Sequence, residues 1–270
     1  MKLSDAIKRL ADAGVDSPRE NARTLFSHFD GVPSYKLISR DPETENPLLI
    51  EAIERRAKRV PLQYVIGEVD FFRERYAVSA GCLIPRADTE VLVEYAVKRL
   101  KPHSKILDVC CGSGCIAIST VKNTEGTTAL ALDISAEALE IAKSNAKLNE
   151  VEGRVEFLQL DVLHDELPKS GKFHCILSNP PYVKDGVYNT LEEEIFHEPK
   201  IAFVGGEDGG DFYRAITARY KSLLCEGGFI AYEIGYDQSE LISDIARANG
   251  MTVEIIKDLS GNPRVAILER

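Results

Sequence analysis

Along the first 60 residues, apolar positions recur at the spacing that places them on one face of a helix. Leu3, Ile7, Leu10 and Ala11 mark a first helix. Ser17-Pro18-Arg19-Glu20 opens a second, with Ser17 as N-cap, Pro18 in the first turn and Glu20 as capping-box partner. Asn46-Pro47 precedes a third, which carries Leu49, Ile50, Ile53 and Ala57. No strand pattern interrupts this stretch, so residues 1–60 are expected to form a small helical bundle. From Pro61 the period changes. Tyr64-Val65-Ile66, Phe71-Phe72 and Tyr76-Ala77-Val78 read as short β-type runs separated by Gly67 and charged residues, a hairpin-like connector over 61–84. Thr89 to Leu100 returns to helix.

Beyond residue 104 the pattern alternates. Strands are predicted at Ile106–Val109, Ala129–Asp133, Val155–Gln159, His174–Ser178, Phe229–Ile234, Thr252–Ile256 and Arg264–Leu268. Helical periodicity falls at Cys115–Lys122, Ala136–Leu148, Phe212–Leu224 and Ser239–Ala248. This order predicts an α/β domain over 85–270, a parallel sheet covered by helices on both faces. Only Lys257 to Pro263 join the last two strands. That is too short for a crossover helix, so the final strand should run antiparallel to its neighbour.

Composition narrows the picture modestly. The 270 residues are 44% hydrophobic and 28% charged, as in ordinary globular chains. A formal net charge of −10 argues against a protein that grips long nucleic acid by its phosphates. Met1 to Leu10 has an amphipathic pattern rather than the apolar core of a signal peptide, and no run is long enough to span a bilayer. A cytoplasmic protein without membrane attachment is the expectation. The six cysteines (Cys82, Cys110, Cys111, Cys115, Cys175, Cys225) form no pair of CxxC motifs, so no metal site is expected. Small buried hydrophobes in a reducing compartment account for them better.

Candidate chemistry lies at the ends of the first four predicted strands of the sheet. Asp108-Val109-Cys110-Cys111-Gly112-Ser113-Gly114-Cys115 closes the first strand and opens a helix, where glycines let a ligand approach the backbone. It is not GxGxxG, and a Gly-Ser-Gly turn can equally be a tight strand-to-helix corner. Asp133 ends the second strand, where an acid can accept both hydroxyls of a ribose, or cap the helix that starts at Ser135. Asp161-Val162 follows the third: the acid can take an adenine amino group with Val162 against the ring, or be a solvated loop residue. Asn179-Pro180-Pro181-Tyr182 follows the fourth. Two prolines stiffen this turn and donate no N–H, so the Asn179 side-chain oxygen and the Pro180 carbonyl stand as fixed acceptors. With the Tyr182 ring they suit a planar amino group, either an amide NH₂ or the exocyclic amine of a base. A plain proline turn is the alternative.

Together these four sites resemble a class I methyltransferase using S-adenosylmethionine, whose sheet is Rossmann-like and seven-stranded. Asn179-Pro180-Pro181-Tyr182 narrows the resemblance to enzymes that methylate planar nitrogen. Pro61 to Gly67, Leu83 to Glu90, His197-Glu198-Pro199, Gly205 to Gly209, Glu233 to Tyr236 and Gly261 to Val265 are similar to the N5-glutamine methyltransferases of peptide chain release factors, nearly from end to end. One departure stands out. The family usually carries glycine where Cys110 stands, and a cysteine is expected to fit there only with negative φ.

The resemblance implies a set of roles. Cys110 to Gly114, Asp133, Asp161-Val162 and Asn179 would contact S-adenosylmethionine, leaving S-adenosylhomocysteine as product. Asn179 to Tyr182 would hold the substrate, the glutamine of a Gly-Gly-Gln loop on a release factor. Asn179, Pro180 and Tyr182 would carry catalysis, and residues 1–60 would dock the protein substrate. Two other substrates stay open at this point: a glutamine of a large-subunit ribosomal protein, and a nucleic-acid base flipped into the site. A fold kept only for binding is disfavoured by the intact Asn179 motif and Asp133.

Overall fold

The computed structural model describes residues 1–168 and 171–270. The chain divides into two compact units, one of residues 1–68 with 192–197 and one of residues 69–191 with 198–270.

The smaller unit is helical: α1 (Leu3–Asp12), α2 (Pro18–Asp30), α3 (Pro47–Ala57) and α4 (Leu62–Ile66). Their apolar faces meet in a core of Leu3, Leu10, Leu25, Phe26, Leu49 and Ile53. Asn46 caps α3 by accepting from Leu48 N at 3.0 Å. Ser17 does not cap α2. Its φ of 49° is left-handed, and an N-cap hydroxyl reaches the first-turn N–H groups only from extended backbone. Asn21 Nδ2 instead donates to the Asp16 and Ser17 carbonyls at 3.0 and 3.1 Å. Residues 64–66, expected as strand, belong to α4, which Pro61 begins and Gly67 ends at φ 91°. Five residues between those two breakers are too few to show a helical period. Glu194 joins this unit through Arg56 at 2.9 Å and Arg59 at 2.5 Å. Burial pushes the Glu194 carboxyl up, and the hydrogen bonds from both arginines outweigh it, so it lies below the usual range.

Next comes a hairpin, β1 (Glu68–Phe71) and β2 (Glu74–Ala77), all but its first residue in the larger unit. Its two turn residues, Phe72 and Arg73, both have positive φ, as a tight primed turn requires. Then follow α5 (Glu90–Arg99), β3 (Lys105–Val109), α6 (Cys115–Lys122), β4 (Thr128–Asp133), α7 (Ala136–Leu148), β5 (Val155–Gln159) and β6 (Phe173–Ser178). The chain ends with α8 (Asp211–Tyr220), β7 (Leu224–Glu233), α9 (Ser239–Ala248), β8 (Thr252–Lys257) and β9 (Pro263–Glu269). Among the described residues, seven strands make one sheet in the order β5-β4-β3-β6-β7-β9-β8. The first five are parallel neighbours, while β9 lies between β7 and β8 and runs antiparallel to both. The short 257–263 connection therefore produces the antiparallel strand expected of it.

Alternate side chains of the strands build the two cores. On one face Ile106, Ala131, Cys175, Leu177 and Ile267 pack with α5, α6 and α7. On the other Leu107, Leu132, Ile176, Tyr232 and Leu268 pack with α8 and α9. Helix α6 is buried from Cys115 through Val121, which explains its nearly unbroken apolar sequence. Asn145 on α7, fully buried, donates to the Ala77 and Ser113 carbonyls at 3.1 and 3.0 Å and accepts from Ala77 N at 2.7 Å. It thereby fixes both the hairpin and the loop after β3. Among the described residues no helix is long and apolar enough to cross a membrane.

Candidate active site

From β3 the chain builds outward through β4 and β5, then returns to place β6 and β7 on the other side. A ligand site is expected at such a switch point, beyond the carboxyl ends of the strands. There the larger unit holds a cavity of about 360 Å³. Its wall collects Cys110, Cys111, Gly112 and Ser113 after β3, Asp133 at the end of β4, Asp161 and Val162 after β5, and Asn179 and Pro181 after β6. The structure thus brings most of the sequence-derived candidates to one place. Gly114, Pro180 and Tyr182 do not line it. Gly114 serves packing: it starts α6 at φ 78°, and a Cβ there would come within 3.1 Å of Ala142 Cβ on α7.

The loop after β3 takes its shape from alternating left-handed residues, Cys110 (φ 61°), Gly112 (φ 53°) and Gly114 (φ 78°). Cys110 therefore does not have the negative φ expected of it. Its neighbours dictate this: Cys111 N donates to Leu132 O at 2.9 Å and Gly112 N to Asp133 Oδ2 at 2.8 Å. Those two bonds to β4 fix the path, and the cysteine tolerates a conformation costing about 1 kcal/mol. The family's usual glycine was the signal that a left-handed residue is needed here. At Gly112 an added Cβ would meet nothing within 4 Å, so the backbone faces open space that a ligand can occupy.

Beneath the loop, Asp108 is wholly buried. Its Oδ2 accepts from Ala117 N at 3.0 Å, while Oδ1 has no partner among the described residues. Burial, with some help from the Asp133 charge, pushes its pKa up to about 8 against the pull of the Ala117 N–H. Asp133 is also raised by burial, opposed by the N–H groups of Ser135 (2.9 Å) and Gly112. Ser135, not Asp133, caps α7, accepting from Ala138 N at 3.1 Å. Each Asp133 oxygen takes one backbone N–H and keeps a lone pair for a ligand hydroxyl. At Asp161, burial would raise the pKa, but His164 and Leu163 N, at 2.8 and 2.9 Å, lower it further than burial lifts it. Asp161 thus holds its own turn together at the cavity edge.

Asn179 Nδ2 donates to Thr89 Oγ1 at 3.3 Å, which leaves Oδ1 as the amide atom for a ligand N–H. Tyr182 is turned away toward Glu233, its Oη donating to Oε1 at 3.3 Å, and burial followed by the Glu233 charge raises its pKa. The turn is braced closely from behind. Gly205 N donates to Val183 O at 2.9 Å, and a Cβ on Gly205 would fall 2.4 Å from Pro181 O. One on Gly209 would fall 2.3 Å from Tyr182 O. Gly205 and Gly209 are therefore there to let two stretches of backbone touch.

Residues not assigned a role from sequence complete the wall. Thr89 and Arg86 line it, as do apolar Leu83, Ile201 and Phe212. Buried Glu198 accepts from Ile84 N at 2.9 Å and pairs with Arg86, which ties two of the sequence motifs together. Glu233 at the end of β7 accepts from Thr89 Oγ1 at 2.5 Å. An acid closing the apolar run Phe229–Tyr232 was the available sign of a buried carboxylate. A mostly apolar wall, an exposed backbone cradle and acceptors at Asp133 and Asn179 suit a nucleoside-bearing cationic cofactor.

Two family models match the chain, the PrmC N-terminal domain over residues 2–67 and the methyltransferase small domain over residues 87–209. A release factor glutamine methyltransferase of Thermodesulfovibrio yellowstonii is 38% identical over 100% of this chain and 99% of the relative. One from Clostridium acetobutylicum is 35% identical over 100% of this chain and 99% of its own length. Among solved structures, a ribosomal protein L11 methylase from Lactobacillus delbrueckii subsp. bulgaricus is 22% identical, with a TM-score of 0.52 over 72% of this chain and 83% of that one. That likeness concerns the fold alone. On full-length identity to its relatives, the chain belongs to the release factor glutamine methyltransferase family.

Proposed function

We propose that this protein transfers a methyl group from S-adenosylmethionine to the side-chain amide nitrogen of the glutamine in the Gly-Gly-Gln motif of peptide chain release factors. The observation that carries the reading is the Asn179 amide at the wall of a cavity that also presents Gly112 and Asp133. Gly112, Asp133 and Asp161-Val162 are the residues to hold the cofactor, which supplies an electrophilic methyl on a sulfonium. An amide nitrogen is a poor nucleophile because its lone pair is shared with the carbonyl. Asn179 Oδ1 at the cavity wall answers this by accepting one of its N–H groups, with the Pro180 carbonyl, in the same turn but outside the cavity lining, as the acceptor proposed for the other. They orient the nitrogen and stabilise the positive charge that grows on it. Tyr182, turned toward Glu233 and outside the cavity lining, braces the far end of this turn.

The helical unit, with its own core, is the docking surface for the body of the release factor. With a release factor as substrate, the cytoplasm is the place of action. The net charge of −10 speaks against stable binding to nucleic acid. The test is label transfer from S-adenosylmethionine to purified release factor by wild type and Asn179→Ala. Undiminished transfer by Asn179→Ala would overturn the assignment.

A further inference from the structure

Three of the contacts already described form one chain. Asn179 Nδ2 meets Thr89 Oγ1 at 3.3 Å, Thr89 Oγ1 meets Glu233 Oε2 at 2.5 Å, and Tyr182 Oη meets Glu233 Oε1 at 3.3 Å. Glu233 is almost wholly buried, at 2% exposure, and does not line the cavity. It therefore reaches both ends of the Asn179–Tyr182 turn, Tyr182 directly and Asn179 through Thr89, without lining the site itself.

The direction of the hydrogen bonds gives this arrangement its meaning. A carboxylate only accepts. The one proton of the Thr89 hydroxyl is then committed to Glu233, so Thr89 can only accept from Asn179. The amide group must accordingly turn Nδ2 toward Thr89. The opposite orientation would set the Asn179 oxygen against the hydroxyl oxygen. Only in the first orientation is Oδ1 the atom offered to the substrate N–H.

We propose that Glu233 is a positioning residue, which acts through Thr89 to fix the orientation of the Asn179 amide and through Tyr182 to hold the far end of the turn. Burial raises the Glu233 pKa; the hydrogen bond from Thr89 and then the positive charge of Arg264, itself paired with Asp88 at 3.1 Å and Asp258 at 3.2 Å, oppose that rise. The proposal rests on the amide-methylation reading given above.

The residues differ in what they predict. Glu233→Gln keeps the shape but adds a donor. When its amide N–H₂ faces Thr89, the hydroxyl turns to donate to Asn179, which then presents Nδ2 to a substrate that needs an acceptor. Thr89→Val removes the hydroxyl and leaves the amide undirected. Thr89→Ser restores it.

The test is steady-state methylation of release factor by these three variants, Asn179→Ala and the Thr89→Val/Glu233→Gln double variant, with S-adenosylhomocysteine binding measured by calorimetry. Thr89→Val and Glu233→Gln should lose at least about tenfold in kcat while KM for release factor and the S-adenosylhomocysteine Kd change by no more than about threefold. Thr89→Ser should recover most of kcat, and the double variant should be no worse than the poorer single one, because both act through one amide. Full kcat in both single variants alongside an inactive Asn179→Ala would overturn the positioning role. So would a Thr89→Ser as poor as Thr89→Val, or losses that multiply in the double variant. If Glu233→Gln does not fold, the valine and serine variants at position 89 decide alone. Full transfer by Asn179→Ala would instead overturn the amide-methylation reading, and this proposal with it.

Discussion

Asp108 should make the protein less stable as pH rises through neutrality, and Asp108→Asn should abolish that loss. The carboxyl is fully buried, with one oxygen bonded to Ala117 N and the other without a partner among the described residues. Its pKa is moved from an ordinary 3.8 to about 8. Between those values the unfolded chain releases the proton and the folded chain keeps it, so folding stability falls with rising pH. Each pH unit in that window costs about 1.4 kcal/mol, so passing from pH 5 to pH 7 removes about 3 kcal/mol. Asparagine keeps the bond to Ala117 N and adds an unpartnered N–H₂, a cost of about 1–3 kcal/mol that does not vary with pH. Urea unfolding of both proteins from pH 5 to pH 9 reads the difference directly. The variant should gain on the wild type by about 1.4 kcal/mol per unit up to the folded pKa, then level off. A difference independent of pH, or one that grows in favour of aspartate, would refute the reasoning.

Cys110 and Gly205 carry two further predictions. Cys110→Gly should change stability by no more than about 0.5 kcal/mol, since relief of the left-handed strain is offset by a more flexible unfolded chain. Cys110→Val should cost about 2 kcal/mol or more by urea unfolding, because a β-branched side chain resists φ of 61°; equal stability of the two variants would contradict this. Gly205→Ala should cut methyl transfer at least about tenfold by pushing on Pro181 O, although residue 205 does not line the cavity. Full activity with an unchanged melting temperature would show that the turn is not braced as described.

Much of the frame was legible because its segments are long and strongly patterned. The predicted ranges for α6, α7, α9 and β5 are the ones observed, each bounded by a strand end, a cap or an asparagine. The antiparallel β9 followed from loop length alone. What escaped was set by tertiary demands. Strand β7 begins at Leu224, earlier than expected, because Gly227 and Gly228 hide its alternation. Ser17 looked like a cap, but its backbone is left-handed. Cys110 looked compatible with an ordinary φ, but bonds to Leu132 and Asp133 fix the path of its loop. At the site, the residues at the strand ends were visible because their chemistry is concentrated in short motifs. Thr89, Glu198 and Glu233 were not assigned roles, because each works through a partner more than a hundred residues away or nearly so.

The central claim is the identity of the methylated atom. Purified release factor, incubated with this protein and S-adenosylmethionine and then digested, should yield one altered peptide by mass spectrometry. It should be the Gly-Gly-Gln peptide, carrying a single added methyl that fragmentation places on the glutamine side chain, and Asn179→Ala should leave it unmodified. Methylation at another residue, or of ribosomal protein or nucleic acid in preference to release factor, would contradict the account.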